Sequence, residues 1–418
     1  MRKFCAFALL AALVNTTYAN TSPLSPYIAF PADSNKTTIQ LQQFVPQRRE
    51  LHTDEVGARL GDRIIMNGGI DVFGFTSKMQ NPLVYTGPAN EALHLRVAYF
   101  DFYAMFYPWL TTYLSITDEP NYSSTTIATT PIPKISQAYI RMTSQNDAQV
   151  RFTLGRTYLP FGVYSKYAII ASFVHKLSEM TNIAAIVDLN YKPFFGSVYA
   201  FNMEGTLNGF GNPPSSQIEN GGAEVGLTNL PEPGPSDSSI VRFPRHQFGY
   251  AAQVSLVNNL AANNTIFNII SSTNRAVDAM NARIELIYYG WGIIANDIFA
   301  LRPFLTKDIT YNGAGAEPSA QDIALNYLFR IHSKPLLAGL KYEQSAQALF
   351  LSMGRFQYEF SLTYGINRFL STSLQLYRSR NYASNDTGTY ATGTSSFTTI
   401  TGNNAWNDTA IVDLFAHF

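Results

Sequence analysis

The stretch Arg355-Phe356-Gln357-Tyr358-Glu359-Phe360-Ser361-Leu362-Thr363-Tyr364 decides the fold class of this chain. Its polar and apolar side chains alternate without interruption, which is the pattern of a β-strand with one polar and one apolar face. Strands of globular proteins average about 5–6 residues, whereas a tilted strand that crosses a bilayer needs about 9–11. The length of this alternation therefore favours a membrane-spanning strand.

The same alternation recurs along the chain, most clearly at 280–289, 322–331 and 336–343. We predict sixteen strands, at 63–74, 92–104, 109–118, 135–144, 148–156, 182–191, 194–204, 247–258, 265–272, 280–289, 292–301, 322–331, 335–344, 355–364, 368–379 and 407–418. The connections between them then alternate between short and mostly long, as the periplasmic turns and external loops of bacterial barrels do. The strand at 265–272 is the weakest of the sixteen, and it is included because the long connection 205–246 would otherwise lie on the periplasmic side.

Composition agrees with this interpretation. Charged residues make up 14% of the chain and aromatic residues another 14%, against roughly a quarter charged in soluble domains. Past the N-terminal segment, no apolar run approaches the ~20 residues of a transmembrane helix. We predict an all-β fold, namely a transmembrane antiparallel up-and-down β-barrel of sixteen strands in the outer membrane, in contact with its lipid. A large secreted β-sandwich is the alternative.

The N-terminus has the features of a secretory signal peptide. Arg2 and Lys3 precede a short apolar run, and Thr17-Tyr18-Ala19 places small residues at the cleavage positions. We predict a signal peptide at 1–19, a short periplasmic extension at 20–62 and the barrel at 63–418. Cys5 is the only cysteine, so the mature chain is predicted to contain no disulfide and no thiolate site. The near-neutral charge excludes a basic footprint for nucleic acid.

The C-terminal segment carries a specific local signal. Phe418 ends a run in which Ala410, Val412, Leu414 and Ala416 share one face. A terminal Phe after such alternation resembles the last strand of outer-membrane barrels, which the barrel-assembly machinery recognises. That machinery is therefore a predicted partner.

Aromatic residues cluster at two of the predicted periplasmic turns. They are Tyr103, Phe106, Tyr107 and Trp109 at one turn, and Tyr288, Tyr289 and Trp291 at another. Aromatic side chains suit a membrane interface because one end is apolar and the other is polar. We predict an interfacial girdle, with ordinary core packing as the alternative.

Catalytic signatures are absent from the sequence. It contains no G-x-S-x-G, H-E-x-x-H or P-loop motif and no cysteine pair, and its six histidines are scattered. We predict no enzyme, no cofactor and no metal. An outer-membrane hydrolase with Ser and His on its outer wall is an alternative.

Charged strand residues are predicted to face the lumen, because Arg or Lys on the lipid face costs ~2–4 kcal/mol at mid-bilayer. The basic residues are Arg96, Arg141, Arg151, Arg283, Arg330, Lys341 and Arg355, and the acidic residues are Asp188, Glu285, Asp322, Glu343 and Glu359. Under one interpretation these groups pair with each other and brace the wall. Under the other, guanidinium groups guide an anionic solute through bidentate hydrogen bonds.

The third predicted external loop opens with Gly155-Arg156-Thr157-Tyr158-Leu159-Pro160-Phe161-Gly162-Val163-Tyr164. In porins this loop commonly folds into the barrel and narrows it. By that analogy we predict a constriction lined by Arg156, Lys166, His175, Lys176 and Glu179. With Arg96, Arg141, Arg151, Arg283, Arg355 and Glu359 it forms the predicted substrate pathway. Alternatively, Pro160 and Gly162 simply end a strand.

This opening stretch and Glu224-Val225-Gly226-Leu227-Thr228-Asn229 resemble the LbtU-type siderophore porins and the related iron-uptake barrels FslE and FupA. The resemblance implies uptake of a ferric siderophore, a polycarboxylate, without a plug domain. The N-terminal extension is shorter than in some members, which argues against the coiled-coil oligomerisation device of those members, and the oligomeric state is open. A general or anion-selective, phosphate-type porin and a structural or adhesive barrel are the alternatives.

Overall fold

The structure is a computed structural model. It describes residues 38–41, 58–60, 64–78, 91–107, 109–118, 122–123, 126–127, 134–144, 150–162, 172–191, 193–202, 220–229, 241–244, 248–263, 266, 276–332, 334–367, 370–391 and 396–417. The predicted signal peptide, Lys166 and Phe418 lie outside these ranges.

Sixteen antiparallel strands close into one barrel, with the last strand paired to the first. In chain order they are β1 (Ile64–Lys78), β2 (Glu91–Tyr107), β3 (Leu110–Asp118), β4 (Lys134–Thr143), β5 (Val150–Tyr158), β6 (Thr181–Tyr191), β7 (Phe194–Asn202), β8 (Asn220–Thr228), β9 (Gly249–Val257), β10 (Ala279–Tyr288), β11 (Trp291–Ala300), β12 (Ser319–Ile331), β13 (Lys334–Ala346), β14 (Phe356–Asn367), β15 (Leu370–Arg380) and β16 (Trp406–His417). The predicted fold class and strand number are confirmed.

The two faces of the wall have opposite chemistry. On β10, Ile284 is 54% exposed and points outward, while its neighbour Arg283 is 3% exposed and points inward. The same contrast recurs on one later strand between the exposed Leu340 and the buried Glu343, and on another between Leu376 and its neighbour Gln375. Apolar side chains face outward because the outer surface of a membrane barrel contacts lipid, whereas the interior, which does not contact lipid, can be polar. None of the helices in the described ranges is long and apolar enough to cross a membrane.

One predicted strand is wrong. The eighth barrel strand is Asn220–Thr228, inside the connection that we predicted at 205–246, and β9 pairs directly with β10. The barrel therefore has no place for a strand at 265–272, where the described residue Ile266 is helical. The inward positions Gly222, Glu224 and Gly226 explain the error, because two glycines and an acid hide the alternation of β8.

The corrected assignment changes one connection on each side of the barrel. The β8–β9 connection now lies on the side of the short turns. Part of it, Val241–Pro244, pairs with Thr38–Leu41 of the predicted N-terminal extension. A second piece of that extension, Ala58–Leu60, pairs with the start of β1. The connection from β9 to β10 becomes external and includes a short 3-10 turn at Leu260–Ala262.

The aromatic residues at the short turns lie on the outer surface, with one exception. Phe106, Tyr107, Tyr288, Tyr289 and Trp291 are exposed, and the rings of Tyr107 and Trp109 stack at 5.5 Å. Tyr103 is different, and its prediction as a girdle residue is wrong. It packs against the buried Tyr113 and Tyr139, because the pairing of β2, β3 and β4 places these three residues side by side.

External connections form a small sheet of their own. The strands Ala314–Gly315, Ile309–Tyr311, Thr387–Ala391 and Phe397–Thr401 pair in that order. They join the β11–β12 connection to the β15–β16 connection. Leu349, Tyr382 and Ile400, the last of which belongs to this sheet, form an apolar cluster. Two connections that are distant in sequence are thereby held together at the external end of the barrel.

Candidate functional site

The third external connection folds back onto the inner wall of the barrel. After β5 ends, the backbone N–H of Leu159 donates to the carbonyl of Met180 at 2.9 Å, which closes the connection into a loop. Gly162 has φ +79°, and a Cβ there would lie 2.2 Å from the Cβ of Ser178. The glycine of the Pro-Phe-Gly stretch is therefore required both by backbone conformation and by this close approach.

A short helix, α1 (Phe173–Ser178), forms the inner part of this loop. Ser172 caps it, since its side-chain oxygen accepts a hydrogen bond from the His175 N–H at 3.1 Å. At the other end, the Asn263 side chain donates to the carbonyls of Lys176 and Leu177 at 3.1 and 3.0 Å. The connection between β9 and β10 thus fixes the C-terminus of a helix that belongs to the connection between β5 and β6.

The helix is buried in an apolar cluster that we call the apolar plug. It combines the third loop, three other external connections and inward positions on the wall. Its members are Leu159, Phe161, Phe173, Val174, Leu177, Met180, Ala184, Ile186, Tyr199, Phe201, Val257, Leu260, Ala261, Ala262, Ile266, Val277, Ala279, Ile298, Phe304, Ile309, Ala316, Ala320, Ala348, Phe350, Leu351 and Met353. Because Val174 and Leu177 are fully buried, the helix occupies this part of the lumen instead of lining an open channel.

Beside the apolar plug lies a second region of the interior, which we call the charged sector. It consists of Arg283, Glu285, Asp322, Lys341, Glu343 and Glu359 on strands β10 to β14. The Lys341 ammonium lies 2.7 Å from a carboxylate oxygen of Glu343 and 2.7 Å from one of Glu359. An Arg283 guanidinium nitrogen lies 2.8 Å from a Glu285 oxygen. Asn296 donates to Asp322 at 2.6 Å and Gln357 to Glu343 at 3.1 Å.

The strand register explains why these groups meet. Arg283, Asn296, Asp322, Glu343 and Gln357 are successive cross-strand partners from β10 to β14. Cross-strand partners share a face of the sheet and lie close enough to interact. The ion pairs in this sector agree with the interpretation that inward charges brace the wall.

Lys176 connects the two regions. It lies on α1, and its ammonium interacts electrostatically with Glu343 and Lys341 of the charged sector. Burial lowers the pKa of Lys176, Glu343 opposes that effect, and Lys341 adds to it. His175 and Glu179, on the same helical segment, pair with each other through the imidazole Nε2. The third loop therefore brings a partly desolvated cation against the charged wall.

The remaining predicted pathway residues are spread around the barrel. Arg141 faces inward, donates to the Thr153 hydroxyl at 3.3 Å and lies 5.1 Å from the Tyr139 ring centroid. Arg151 is the cross-strand partner of Asp188, and both share the inward face. Arg355 lies just before β14 at the external rim, 3.9 Å from Asp386.

Two further charged residues lie closer to the strand ends or to an irregularity. Arg330 shares the inward face of β12 but is exposed near its short-turn end. Arg96 lies in β2 at a register shift against β1. Neither position belongs to the charged sector.

The prediction that Arg156 lines the constriction is wrong. Strand β5 continues to Tyr158, so Arg156 remains in the ladder as the partner of Ala138 and Ile183. Ile183 is an exposed outward residue, and cross-strand partners share a face. Arg156 therefore belongs to the outer surface, where its Nε donates to the Ser136 carbonyl at 3.4 Å.

The sequence pattern missed several residues of this interior. Tyr199 and Phe201 alternate regularly on β7, but the pattern gave no sign that they face a loop instead of lipid. The glycines of β8 do carry a signal in retrospect. A Cβ on Gly226 would lie 2.3 Å from the Phe195 ring, and one on Gly222 would lie 2.2 Å from the Tyr199 hydroxyl. Part of the stretch that resembles siderophore porins thus has a packing role. Among the described residues, no cluster of His, Cys, Asp and Glu is arranged to hold a metal ion.

No known family model matches the chain. A UPF0422 protein of Coxiella burnetii (strain RSA 493 / Nine Mile phase I) is 25% identical over 295 residues, which are 70% of this chain and 59% of that protein. A UPF0422 protein of Legionella pneumophila (strain Lens) is 23% identical over 237 residues, which are 54% of this chain and 42% of that protein. The chain thus spans less than two thirds of the length of these curated relatives.

Among solved structures, the barrel is similar to OmpF of Salmonella typhi. The TM-score is 0.51 at 10% identity, and the alignment covers 86% of this chain and 98% of that chain. This likeness shows the fold, which is that of an outer-membrane porin. The fold supports an outer-membrane location and contact between the apolar outer face and membrane lipid.

Proposed function

We propose that this protein is an outer-membrane porin-type transporter whose pathway is closed by the helix of its third loop. The observation that carries the proposal is the polar inner wall. Gln253, Asn281, Glu343 and Gln375 face inward from four different strands, in a barrel of the strand number that surrounds aqueous channels in porins. The apolar plug fills part of that polar tube, and in this proposal the plug moves when a solute passes.

Channel recordings in planar bilayers test this proposal. We expect wild-type protein to open rarely, and Leu177→Ala to open more often or to a larger conductance because it weakens packing of the plug. Leu340→Ala is the matched control, since it makes the same chemical change on the lipid-facing side of β13. Leu177→Ala protein that forms a folded barrel but conducts no better than the wild type contradicts the proposed closure.

Within this function we propose an anionic solute, with a ferric polycarboxylate siderophore as the specific case. The support is the sequence resemblance, together with Arg141 and Arg151. These two arginines face the lumen from adjacent strands, and their guanidinium groups suit carboxylates. Arg96, Lys166, His175, Lys176, Arg283, Arg355 and Glu359 remain part of the proposed pathway.

Labelled-iron uptake by a deletion strain tests the substrate. We expect uptake of iron with the cell's own siderophore to fall in the deletion strain and in the Arg141→Gln/Arg151→Gln variant. Arg156→Gln, on the outer face, is the control and should transport normally. Unchanged iron uptake together with a lost conductance for phosphate or chloride would support the anion-selective porin instead.

A structural or adhesive barrel is the second candidate, and it is favoured by one observation. External connections that are distant in sequence pair with each other into a four-stranded sheet at the external end of the barrel. If neither the wild type nor Leu177→Ala conducts, while the folded protein binds a surface through its external connections, the adhesive function replaces transport. We expect no hydrolytic activity from the purified protein in either case.

Export and assembly complete the proposal. We propose that a signal peptide is removed after Ala19 and that the C-terminal strand is presented to the barrel-assembly machinery. N-terminal sequencing of protein recovered from outer membranes should begin at Asn20. Removal of Phe418 should reduce the yield of folded barrel, measured as the fraction whose gel migration changes on heating.

A further inference from the structure

The outer surface carries a basic and aromatic patch at the external ends of β15 and β16. Arg378 and Arg380 flank Ser379, which is buried, so both arginines share the outward face of β15. Their cross-strand partners include the aromatic residues Tyr358 and Trp406. We call Tyr358, Arg378, Arg380, Trp406 and Asp408 the rim patch.

The two guanidinium groups lie over the same indole ring. The Cζ atom of Arg378 is 4.8 Å from the Trp406 ring centroid, and that of Arg380 is 5.6 Å away. The Asn404 side-chain oxygen accepts from Nε and Nη2 of Arg380 at 3.1 and 2.9 Å. Cation–π contact and these hydrogen bonds hold both planar groups in place before any ligand arrives.

The charge of the rim patch is positive. Arg378 Nε lies 3.3 Å from Asp408 Oδ1, and both side chains are more than half exposed. The rim patch as defined contains two arginines and one carboxylate, that of Asp408. The pair is weak because it is exposed to solvent, so a stronger anionic partner can displace Asp408 from Arg378.

The residues around the rim patch show at which depth of the membrane it lies. Along the outward face of β15, Leu376 and Leu374 follow the arginines toward the short turns, and the exposed Tyr358 and Trp406 stand beside them. Charge on the lipid face is tolerated near an interface but not at mid-bilayer, and aromatic side chains mark interfaces. The arginines therefore lie at the headgroup level of the external leaflet.

We propose that the rim patch binds the phosphate group of a glycolipid in the outer leaflet of the outer membrane. Arginine is suited to this ligand, because its planar fork donates two parallel hydrogen bonds to phosphate oxygens. Trp406 and Tyr358 offer flat amphipathic surfaces to the adjoining sugar and upper acyl chains. The function is separate from solute transport, because the patch lies on the opposite side of the wall from the lumen.

Binding of a diphosphorylated lipid A to the full-length protein in detergent micelles tests the proposal, with native mass spectrometry or calorimetry as the readout. We expect Arg378→Gln/Arg380→Gln to weaken binding at least about tenfold. Arg156→Gln is the matched control, because it removes an outward arginine from the other side of the barrel, and it should bind as the wild type does. Arg378→Lys/Arg380→Lys should fall in between, since it keeps the charge and loses the fork.

Several outcomes overturn the proposal. Wild-type affinity in the double glutamine variant does so, as does equal binding of lipid A from which the phosphates have been removed. Inorganic phosphate that binds the same arginines as tightly as lipid A indicates a small-anion site instead. If the double variant changes only the stoichiometry of the protein, the patch joins copies of this chain. Heat-dependent gel migration of each variant shows that the barrel is folded.

Discussion

The apolar plug and the charged sector fill neighbouring parts of one barrel interior with opposite chemistry. The plug is built mainly from connections, and Val174, Leu177 and Leu260 are fully buried in it. The charged sector is built entirely from strands. Its ion pairs join residues two apart on one strand, as in Lys341 and Glu343, or cross-strand neighbours, as in Lys341 and Glu359. Burial of apolar surface is non-directional, whereas a buried ion pair needs fixed geometry.

This difference separates the two regions in their expected dynamics. The charged sector belongs to the wall and is released only when the hydrogen-bonded barrel unfolds. The plug is joined to the wall by packing and by a few hydrogen bonds, such as those from Asn263 to the end of α1. Regions of this kind open locally at a lower free energy than the whole protein. Substitutions in the two regions should therefore have different consequences.

The largest effect is expected in the charged sector. Lys341→Met leaves Glu343 and Glu359 buried without their shared cation, and loss of one partner of a buried pair costs about 3–5 kcal/mol. We expect a lower midpoint for denaturant unfolding of the barrel in micelles, measured by tryptophan fluorescence. The triple variant Lys341→Met/Glu343→Gln/Glu359→Gln also removes the two unpaired carboxylate charges, and its unfolding midpoint should return most of the way to that of the wild type. An unchanged midpoint for the single variant would show that the ion pairs are dispensable.

In the plug, Leu177→Ala should act locally. Truncation of a buried leucine destabilises a protein by about 2–5 kcal/mol. Here the change should destabilise the packing of α1 against the wall and leave the hydrogen-bonded strands of the barrel unaffected. Amide hydrogen exchange at 172–180 should accelerate, while the unfolding midpoint of the barrel stays close to that of the wild type. Leu340→Ala, on the lipid face, should leave exchange in the loop unchanged. A midpoint that falls as far as that of Lys341→Met would remove the distinction between the two regions.

The strands of the barrel wall could be predicted because each strand shows the alternation of polar and apolar residues in its own sequence. Residues 355–364 predict β14 to within a few residues, and the inward position of Lys341 follows from the same pattern. Strand β8 was not predicted because its inward residues are Gly222, Glu224 and Gly226, which do not give a regular alternation. The two glycines leave room for the rings of β7. Arg156 was misplaced because the sequence does not show that β5 runs past it to Tyr158.

The plug was predictable only in outline. The Pro-Phe-Gly stretch and the position of the loop indicated a chain that turns inward, and α1 lies in that loop. The partners of α1 come from connections more than eighty residues away, such as Asn263, and no local pattern encodes such contacts. Hydrophobic residues in a loop indicate burial but not the surface against which they are buried.

A smaller effect is expected at Gly162. Alanine there meets both an unfavourable φ of +79° and the Ser178 side chain, with 2.2 Å between the two Cβ positions. Strain of this kind costs about 1–3 kcal/mol, and it should favour the open form of the loop. We expect faster hydrogen exchange at 172–180 in Gly162→Ala. Ser178→Gly on that background should restore part of the protection, because it removes the contact but not the backbone strain. Wild-type exchange in Gly162→Ala would mean that the loop does not need this turn.

The smallest effect is expected in the external sheet, and it depends on pH. Asp386 accepts hydrogen bonds from Asn312 at 3.2 Å and from the backbone N–H of Ala383 at 3.0 Å. Burial raises the pKa of Asp386, but hydrogen bonds from Tyr311, Asn312 and Ala383 and the nearby Arg355 outweigh it, so the pKa lies below its usual value of 3.8. The same contact works in reverse on the phenol, since burial and Asp386 raise the pKa of Tyr311 to about 12.

A carboxyl whose pKa is lowered by folding stabilises the folded form above its unfolded pKa, and that contribution disappears as the pH falls through the folded value. The external sheet should therefore loosen below about pH 4. Hydrogen exchange at Thr387–Ala391, corrected for the intrinsic rate, measures the change between pH 7 and pH 3. Asp386→Asn should make protection less dependent on pH, because the group no longer titrates. If the variant loosens in acid as much as the wild type does, another group controls the sheet. The apolar plug, which is held mainly by packing, should keep its protection over the same range.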